Sequence, residues 1–310
     1  MGAREAITSG VSLSSGVRRR QRRRNIEGYM VISPWLIGFI IFTVGPMLAS
    51  LVLMFMSYDL LTPPRWTGLA NLNRMVNDRL FTLSLYNTAY YAFAAVPAQL
   101  LVAFLLALAL NMKVAGVNIF RTLYYLPTVT PAVASVILWV WILNPEYGLA
   151  NTLLKYVGLP PQAWLWDPKL SKPSFVLMSL WGVGWQMVIF LGALQGVPNE
   201  LYEAAMIDGA GQWRRLLNVT LPMISPVTFF NLTMGIIRSF QTFTGAYIAT
   251  GGGPINSTLF YVLHLYRQAF ENWRMGYACT LAWVLVILLL VLTLVQFRAS
   301  GRWVYYESSR

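Results

Sequence analysis

The chain has 310 residues, 57% hydrophobic and 11% charged, where a soluble globular domain carries roughly a quarter charged residues; the deficit argues for lipid as the solvent. The net charge of +12 raises nucleic acid as a partner, but where the charge lies makes that the lesser alternative and no nucleic acid is expected. Much of that charge sits in one N-terminal run, Arg18, Arg19, Arg20, Arg22, Arg23 and Arg24, with Arg4 ahead of it, and a basic flank beside a long apolar helix holds that end in the cytoplasm.

In chain order, the pattern predicts a disordered basic cytoplasmic tail over 1–28, a six-helix membrane domain over 29–300 and a cytoplasmic C-terminal tail over 301–310. Charge is missing from residues 28–58, 80–112, 122–145, 173–199 and 275–297, and 216–266 carries Arg238 alone. Each stretch can hold the roughly 20 apolar residues a spanning helix needs. The predicted spans are 31–57, 83–111, 120–143, 174–196, 223–249 and 276–298. The first is too long for the core of a signal peptide, so it is expected to remain as an anchor. A Leu-rich stretch at 147–157, stopped by Gly158, Pro160 and Pro161, predicts a short surface helix. After Gly251, Gly252, Gly253 and Pro254 an amphipathic segment through Leu259, Val262, Leu263 and Tyr266 predicts an element lying along the outer membrane face. Alternation places Lys113, Arg121, Arg214, Arg215, Arg298, Arg302 and Arg310 on the inner side with both termini. The outer segments are also basic, so the orientation rests mainly on the N-terminal run.

The chemistry that is missing narrows the function. Acidic residues fall in the tail or loops and none lies inside a predicted span, which argues against a proton relay. The lone histidine, His264, reads as a surface or packing residue. Cys279 is the single cysteine, so neither a disulfide nor a cysteine metal site forms within the chain. Lys113, Lys155, Lys169 and Lys172 each follow a residue other than glycine, so no phosphate-cradling loop is present. No cofactor or metal site is expected, and energy, if used, comes from another polypeptide.

Between the fourth and fifth spans the chain reads PNELYEAAMIDGAGQWRR at 198–215. Pro198 suits a helix start, with Glu200 near the positive end, and Gly209 and Gly211 permit a turn into a second helix. Spacing alone leaves two readings: an amphipathic connector under its own bundle, or a docking surface whose small residues admit another protein's backbone.

Glu203-Ala204-Ala205, Asp208-Gly209-Ala210, Leu221-Pro222 and Pro226 resemble the EAA loop, here about 198–222, of permease subunits in binding-protein-dependent ABC importers. Tyr125-Leu126-Pro127, Asn144-Pro145-Glu146-Tyr147-Gly148, Gly251-Gly252-Gly253-Pro254 and Met275-Gly276-Tyr277-Ala278 are similar to the maltose and glycerol-phosphate type. The likeness covers nearly everything after the basic tail; Leu216 departs from it, standing where the family often has Phe. The resemblance implies the type I permease fold in the bacterial inner membrane. It also implies a second homologous permease subunit, two ATPase subunits carrying ATP and Mg, an extracytoplasmic solute-binding protein and a sugar substrate. By it, Glu203, Ala204, Ala205, Asp208, Gly209 and Ala210 form the coupling contact with the ATPase. The rivals are a channel or secondary carrier working without ATP, and a membrane scaffold or sensor with no transported solute.

Polar groups within lipid are costly unless they face protein or water. The fifth span holds Thr228, Asn231, Thr233, Arg238, Ser239, Gln241, Thr242 and Thr244, with Gly235, Arg238, Ser239 and Thr242 sharing one face assigned to the lumen. On the fourth span Trp181, Gly182, Trp185 and Gln186 lie within about a turn; the tryptophans either stack on sugar rings or pack against lipid and helices. The resemblance places sugar contacts at Met178, Trp181, Gly182, Trp185, Gly235, Arg238, Ser239 and Thr242. Only Gly182 is the family's residue type, which implies a different sugar or a less intimate contact. Arg238 either neutralises a uronate or phosphate on the solute or serves a structural role.

Overall fold

The computed structural model describes residues 15–112 and 116–305, with backbone only for 15–23. Arg4, Lys113, Arg310 and the ends of both predicted tails lie outside the described residues. The protein is a helical bundle with one two-stranded antiparallel pair, β1 (Met56–Ser57) and β2 (Arg65–Trp66), in which Met56 faces Trp66.

Three helices are long and apolar enough to cross a membrane, Arg24–Leu53, Arg79–Leu110 and Met275–Ser300, and three bent helix pairs bring the spans to as many as six. The first begins as α1 (Ser15–Phe39) and continues through a π-helical turn into α2 (Gly45–Leu53). Helix therefore starts thirteen residues before the predicted end of the disordered tail at Gly28, because arginine and glutamine are good helix formers and a helix propagates readily from a formed nucleus. The π turn precedes Pro46, which cannot supply an N–H to the preceding turn.

The bundle is organised around α4 (Arg79–Leu110), which packs along α9 (Gly184–Gln195) and α13 (Ser225–Phe240). Ala92, Ala95, Ala103 and Ala107 are fully buried on it. Small residues at these helical spacings let neighbouring backbones approach closely, which drives association in lipid. Ala103 and Ala107 share a buried cluster with Met187, Phe190 and Leu191, while Ala92 and Val96 lie with Ile236, Phe240 and Tyr277 of α16 (Met275–Ser300). Asp78 caps α4 by accepting from the Leu80 N–H at 2.8 Å.

Besides the tail, four predicted elements differ from the observed ones, one of them the fourth span, expected over 174–196 and bent by 50° between 182 and 184. The third span, expected unbroken over 120–143, is α5 (Val117–Val129) and α6 (Ala132–Ile142), bent by 99°; Thr130 is extended, the conformation a following proline imposes. The fifth, expected over 223–249, is α13 followed after Gln241, Thr242 and Phe243 by α14 (Thr244–Ala249). Threonine and phenylalanine are weak helix formers, and Phe243 turns its ring onto Tyr247 and Tyr266 at centroid distances of 5.3 and 4.9 Å. The segment expected along the membrane face is α15 (Tyr261–Tyr266), and it is core: Leu259, Phe260, Tyr261 and Leu263 are wholly buried. Polar groups of α4 draw it in. Asn87 donates to the carbonyls of Asn256 and Leu259 at 2.9 and 3.2 Å, and Thr88 Oγ1 accepts the Tyr261 N–H at 2.8 Å, satisfying backbone that would otherwise be stranded.

The short surface helix is present as α7 (Leu149–Tyr156). Against α16, α3 (Ala70–Val76) and the β pair cover one end of the bundle, where Asn71 donates to the carbonyls of Met54 and Met56 and Thr280 to that of Met54. The opposite end carries the ends of α4 and α16, and there the Tyr305 N–H donates to Ser225 Oγ at 2.8 Å.

Candidate functional site

Two features stand out, an elbow at one end of the bundle and a cavity among the spans. The elbow is α10 (Asn199–Ile207), a turn, and α11 (Gln212–Arg215). Glu200 lies in the first turn of α10, where the helix dipole favours an anion. The Gly209 N–H bonds the Met206 carbonyl and the Ala210 N–H that of Ala205, closing the helix with Gly209 at φ +74°, a conformation glycine adopts without steric cost.

Glu203, Ala204, Asp208 and Gly209 are exposed, while Ala205 and Ala210 are half-buried. The six residues predicted for coupling thus fall on one short helix and its turn. Apolar side chains surround them: Ile207 is 87% and Trp213 76% exposed. A lone exposed leucine means little, but several large apolar groups on a polar elbow are a feature of surfaces that a protein, a ligand or a membrane covers. The elbow is tied to the helix that leads into the bundle. Tyr202 Oη lies 3.0 Å from Thr220 Oγ1, α11 continues by a π-helical turn to Met223, and that helix meets α13 at a 64° bend beside Pro222 and Pro226.

The cavity, about 780 Å³, lies between the broken third span, the fourth span and the end of α13. Of the eight residues predicted for the solute pathway, Met178, Trp181, Gly182, Trp185, Arg238 and Thr242 line it. Gly235 and Ser239 line an adjoining space of about 180 Å³ that shares Gly182, Arg238 and Thr242. All eight are therefore brought together. Gly235 is there for packing, since a Cβ on it would sit 2.9 Å from Val96 Cγ1.

The fourth span bends by 50° between α8 (Ser171–Ser179), with the tight turn that follows it, and α9, which lets Trp181 and Trp185 face the opening. Gly184 holds α9 against α5, because a Cβ there would meet the Tyr124 carbonyl oxygen at 2.5 Å. Trp139 of α6 stands edge-on to Trp181 at 6.2 Å, and the Arg238 guanidinium lies over the Trp185 ring at 5.9 Å. Gln186 Nε2 donates to Gln99 Oε1 at 3.3 Å beside the smaller space. The result is a wall of aromatic faces with amides, hydroxyls and one cation between them, able to stack on a sugar ring and bond its hydroxyls.

Residue reasoning missed Tyr91, Gln99, Tyr125, Trp139 and Gln241 as lining residues. For Gln99 a signal existed, an amide in the middle of an apolar span. Trp139 and Tyr125 face the opening only because the third span breaks at Thr130 and Pro131, and no periodicity announces that.

At the end opposite the elbow, His264 is 1% exposed and its Nε2 lies 3.2 Å from Asp78 Oδ2, which also accepts from Tyr277 Oη at 2.7 Å. Burial pushes the imidazole below its ordinary value of 6.5, partly offset by the Asp78 carboxylate. Burial would raise Asp78, but hydrogen bonds from Tyr277 and the Leu80 N–H, with His264, bring it below 3.8. The histidine expected at a surface or in packing is buried and paired across two elements.

A family model described as "binding-protein-dependent transport system inner membrane component" matches residues 99–302. The chain is 43% identical to the probable ABC transporter permease protein YesP of Bacillus subtilis (strain 168), over 94% of this chain and 95% of that one. It is 33% identical to the arabinooligosaccharides transport system permease protein AraP of the same organism, over 88% of each. Among solved structures, a bacterial ABC transporter importing the acidic polysaccharide alginate superposes with a TM-score of 0.80 at 23% identity, over 91% of this chain and 98% of that one; the likeness is one of fold.

Proposed function

We propose that this chain, which belongs to the family of binding-protein-dependent transport system inner membrane components, forms one half of the translocation pathway of an ATP-driven sugar importer. It is a multi-pass membrane permease and not itself an enzyme. Sugar as the solute is supported by the aromatic cavity and by the carbohydrate permeases among its relatives, AraP by name.

The observation that carries the mechanism is the exposed elbow with large apolar side chains, joined to α13 through a 64° bend. A separate ATPase pair, holding ATP and Mg, would grip Glu203, Ala204, Asp208 and Gly209. Its closure would swing α11 and the helix that follows, and so move Arg238, Ser239 and Thr242 at the far end of α13. A pathway built from such a movement needs a second membrane subunit facing the cavity. The first span supports one, because none of its most apolar window is buried within this chain. In this reading the elbow and both termini face the cytoplasm of a bacterial cell, and the opposite end receives a solute-binding protein.

The test is ATPase activity of the purified complex. It is expected to rise when a sugar-loaded binding protein is added. Gly209→Ala, which places a Cβ at φ +74° at a cost of about 1–2 kcal/mol, is expected to reduce the rise several-fold. Uptake that proceeds without ATP, or an elbow variant that leaves stimulation intact, would establish a channel or secondary carrier instead.

A further inference from the structure

We infer that the cavity takes an anionic saccharide, one bearing a carboxylate on its sugar ring, and that Arg238 determines this specificity. The inference rests on reading the cavity as the solute pathway.

Arg238 is the single charged residue lining either the cavity or the space adjoining it, and no described carboxylate faces it there. Its guanidinium donates no hydrogen bond within the described residues; its partner is the Trp185 ring at 5.9 Å. The side chain is open to the cavity rather than wrapped in protein. A structural arginine inside a membrane protein is ordinarily paired with carboxylates or backbone carbonyls, and this one has neither. The end of α13 lowers the cost of a cation but satisfies none of its donors.

What remains is a planar fork whose donors match a carboxylate bidentately. Around it, Trp139, Trp181 and Trp185 offer faces for rings, and Gln241 and Thr242 can bond hydroxyls. A volume of about 780 Å³ exceeds what a small phosphate ester fills, which favours a sugar acid within an oligosaccharide over a phosphorylated triose. The aromatic cation contact also holds the fork in place without neutralising it.

The experiment measures equilibrium binding of labelled digalacturonate, its dimethyl ester and glycerol 3-phosphate to the assembled complex in lipid nanodiscs, without binding protein. The acid is expected to bind in preference to the ester. Arg238→Gln should lower the acid-to-ester ratio about tenfold, the size of one charge-assisted hydrogen bond, and Arg238→Lys should restore part of it. Equal loss of acid and ester would make Arg238 structural and overturn the inference. An unchanged ratio would mean that a carboxylate of the partner subunit answers the charge, and overturn it too. So would binding of no acid by the wild-type complex, or Arg238-dependent binding of glycerol 3-phosphate alone. The ATPase response to binding protein, read on the same nanodiscs, reports separately on whether the cavity belongs to an ATP-driven importer.

Discussion

At the scale of single residues, the contact between His264 and Asp78 joins α15 to the start of α4, with Tyr277 adding α16. The charged groups acting on the imidazole are Asp78 and Arg267; Arg267 pairs with Glu271, and Arg74 lies over the neighbouring Tyr277 ring at 5.3 Å. Since the folded imidazole binds its proton less readily than the unfolded one, its contribution to stability is complete above about 6.5 and declines as the pH falls through that value toward the folded one. Asp78, held low, adds a further loss only below 3.8. Thermal melting of the detergent-purified protein should therefore show stability falling as the pH drops below about 6.5, and His264→Gln should flatten that limb. Parallel curves for the two proteins would refute the assignment.

At the scale of elements, α4 behaves as a spine because its alanines leave no bulk between helices. Ala107→Leu inserts volume into the cluster with Phe190 and Leu191 and is expected to cost about 1–3 kcal/mol. Ala109→Leu on the exposed side of the same helix should cost far less. Melting temperatures measured for both would decide; equal losses would mean that the helix is not packed on that face.

The same scale shows what the sequence announces. Five charge-free stretches and a sixth broken by Arg238 alone locate the spans, as many as six, because lipid tolerates few unpaired charges, and the elbow reads directly because Gly209, Gly211 and Pro198 punctuate it. The breaks do not read out. Thr130 and Pro131 carry a proline signal that hydropathy averages away, and the break after Phe240 depends on a ring cluster with Tyr247 and Tyr266 assembled from distant segments. Burial of α15 is equally hidden, since an amphipathic pattern looks the same whether its apolar face meets lipid or Asn87 and Thr88 draw it into the bundle.

At the scale of the molecule, the end that carries the elbow also carries the ends of α4 and α16, so a single orientation fixes every loop. The basic N-terminal run argues that this end is cytoplasmic, and an ATPase can reach the elbow only there. Cys279 is the single cysteine, so a Cys279→Ser background permits single-site labelling with a membrane-impermeant maleimide. Two positions at opposite ends suit it, Ile207 of α10, 87% exposed, and Tyr156 of α7, 84% exposed. Tyr156→Cys is expected to react in cells whose inner membrane is intact. Ile207→Cys should react only after that membrane is permeabilised, and should slow several-fold when the ATPase is bound, since a covered thiol waits for the partner to leave. Labelling of Ile207→Cys from outside would invert the bundle and remove the elbow from any nucleotide-driven engine. Outside-in protection of Tyr156→Cys by a solute-binding protein would instead extend the contact surface to α7, at the end opposite the elbow.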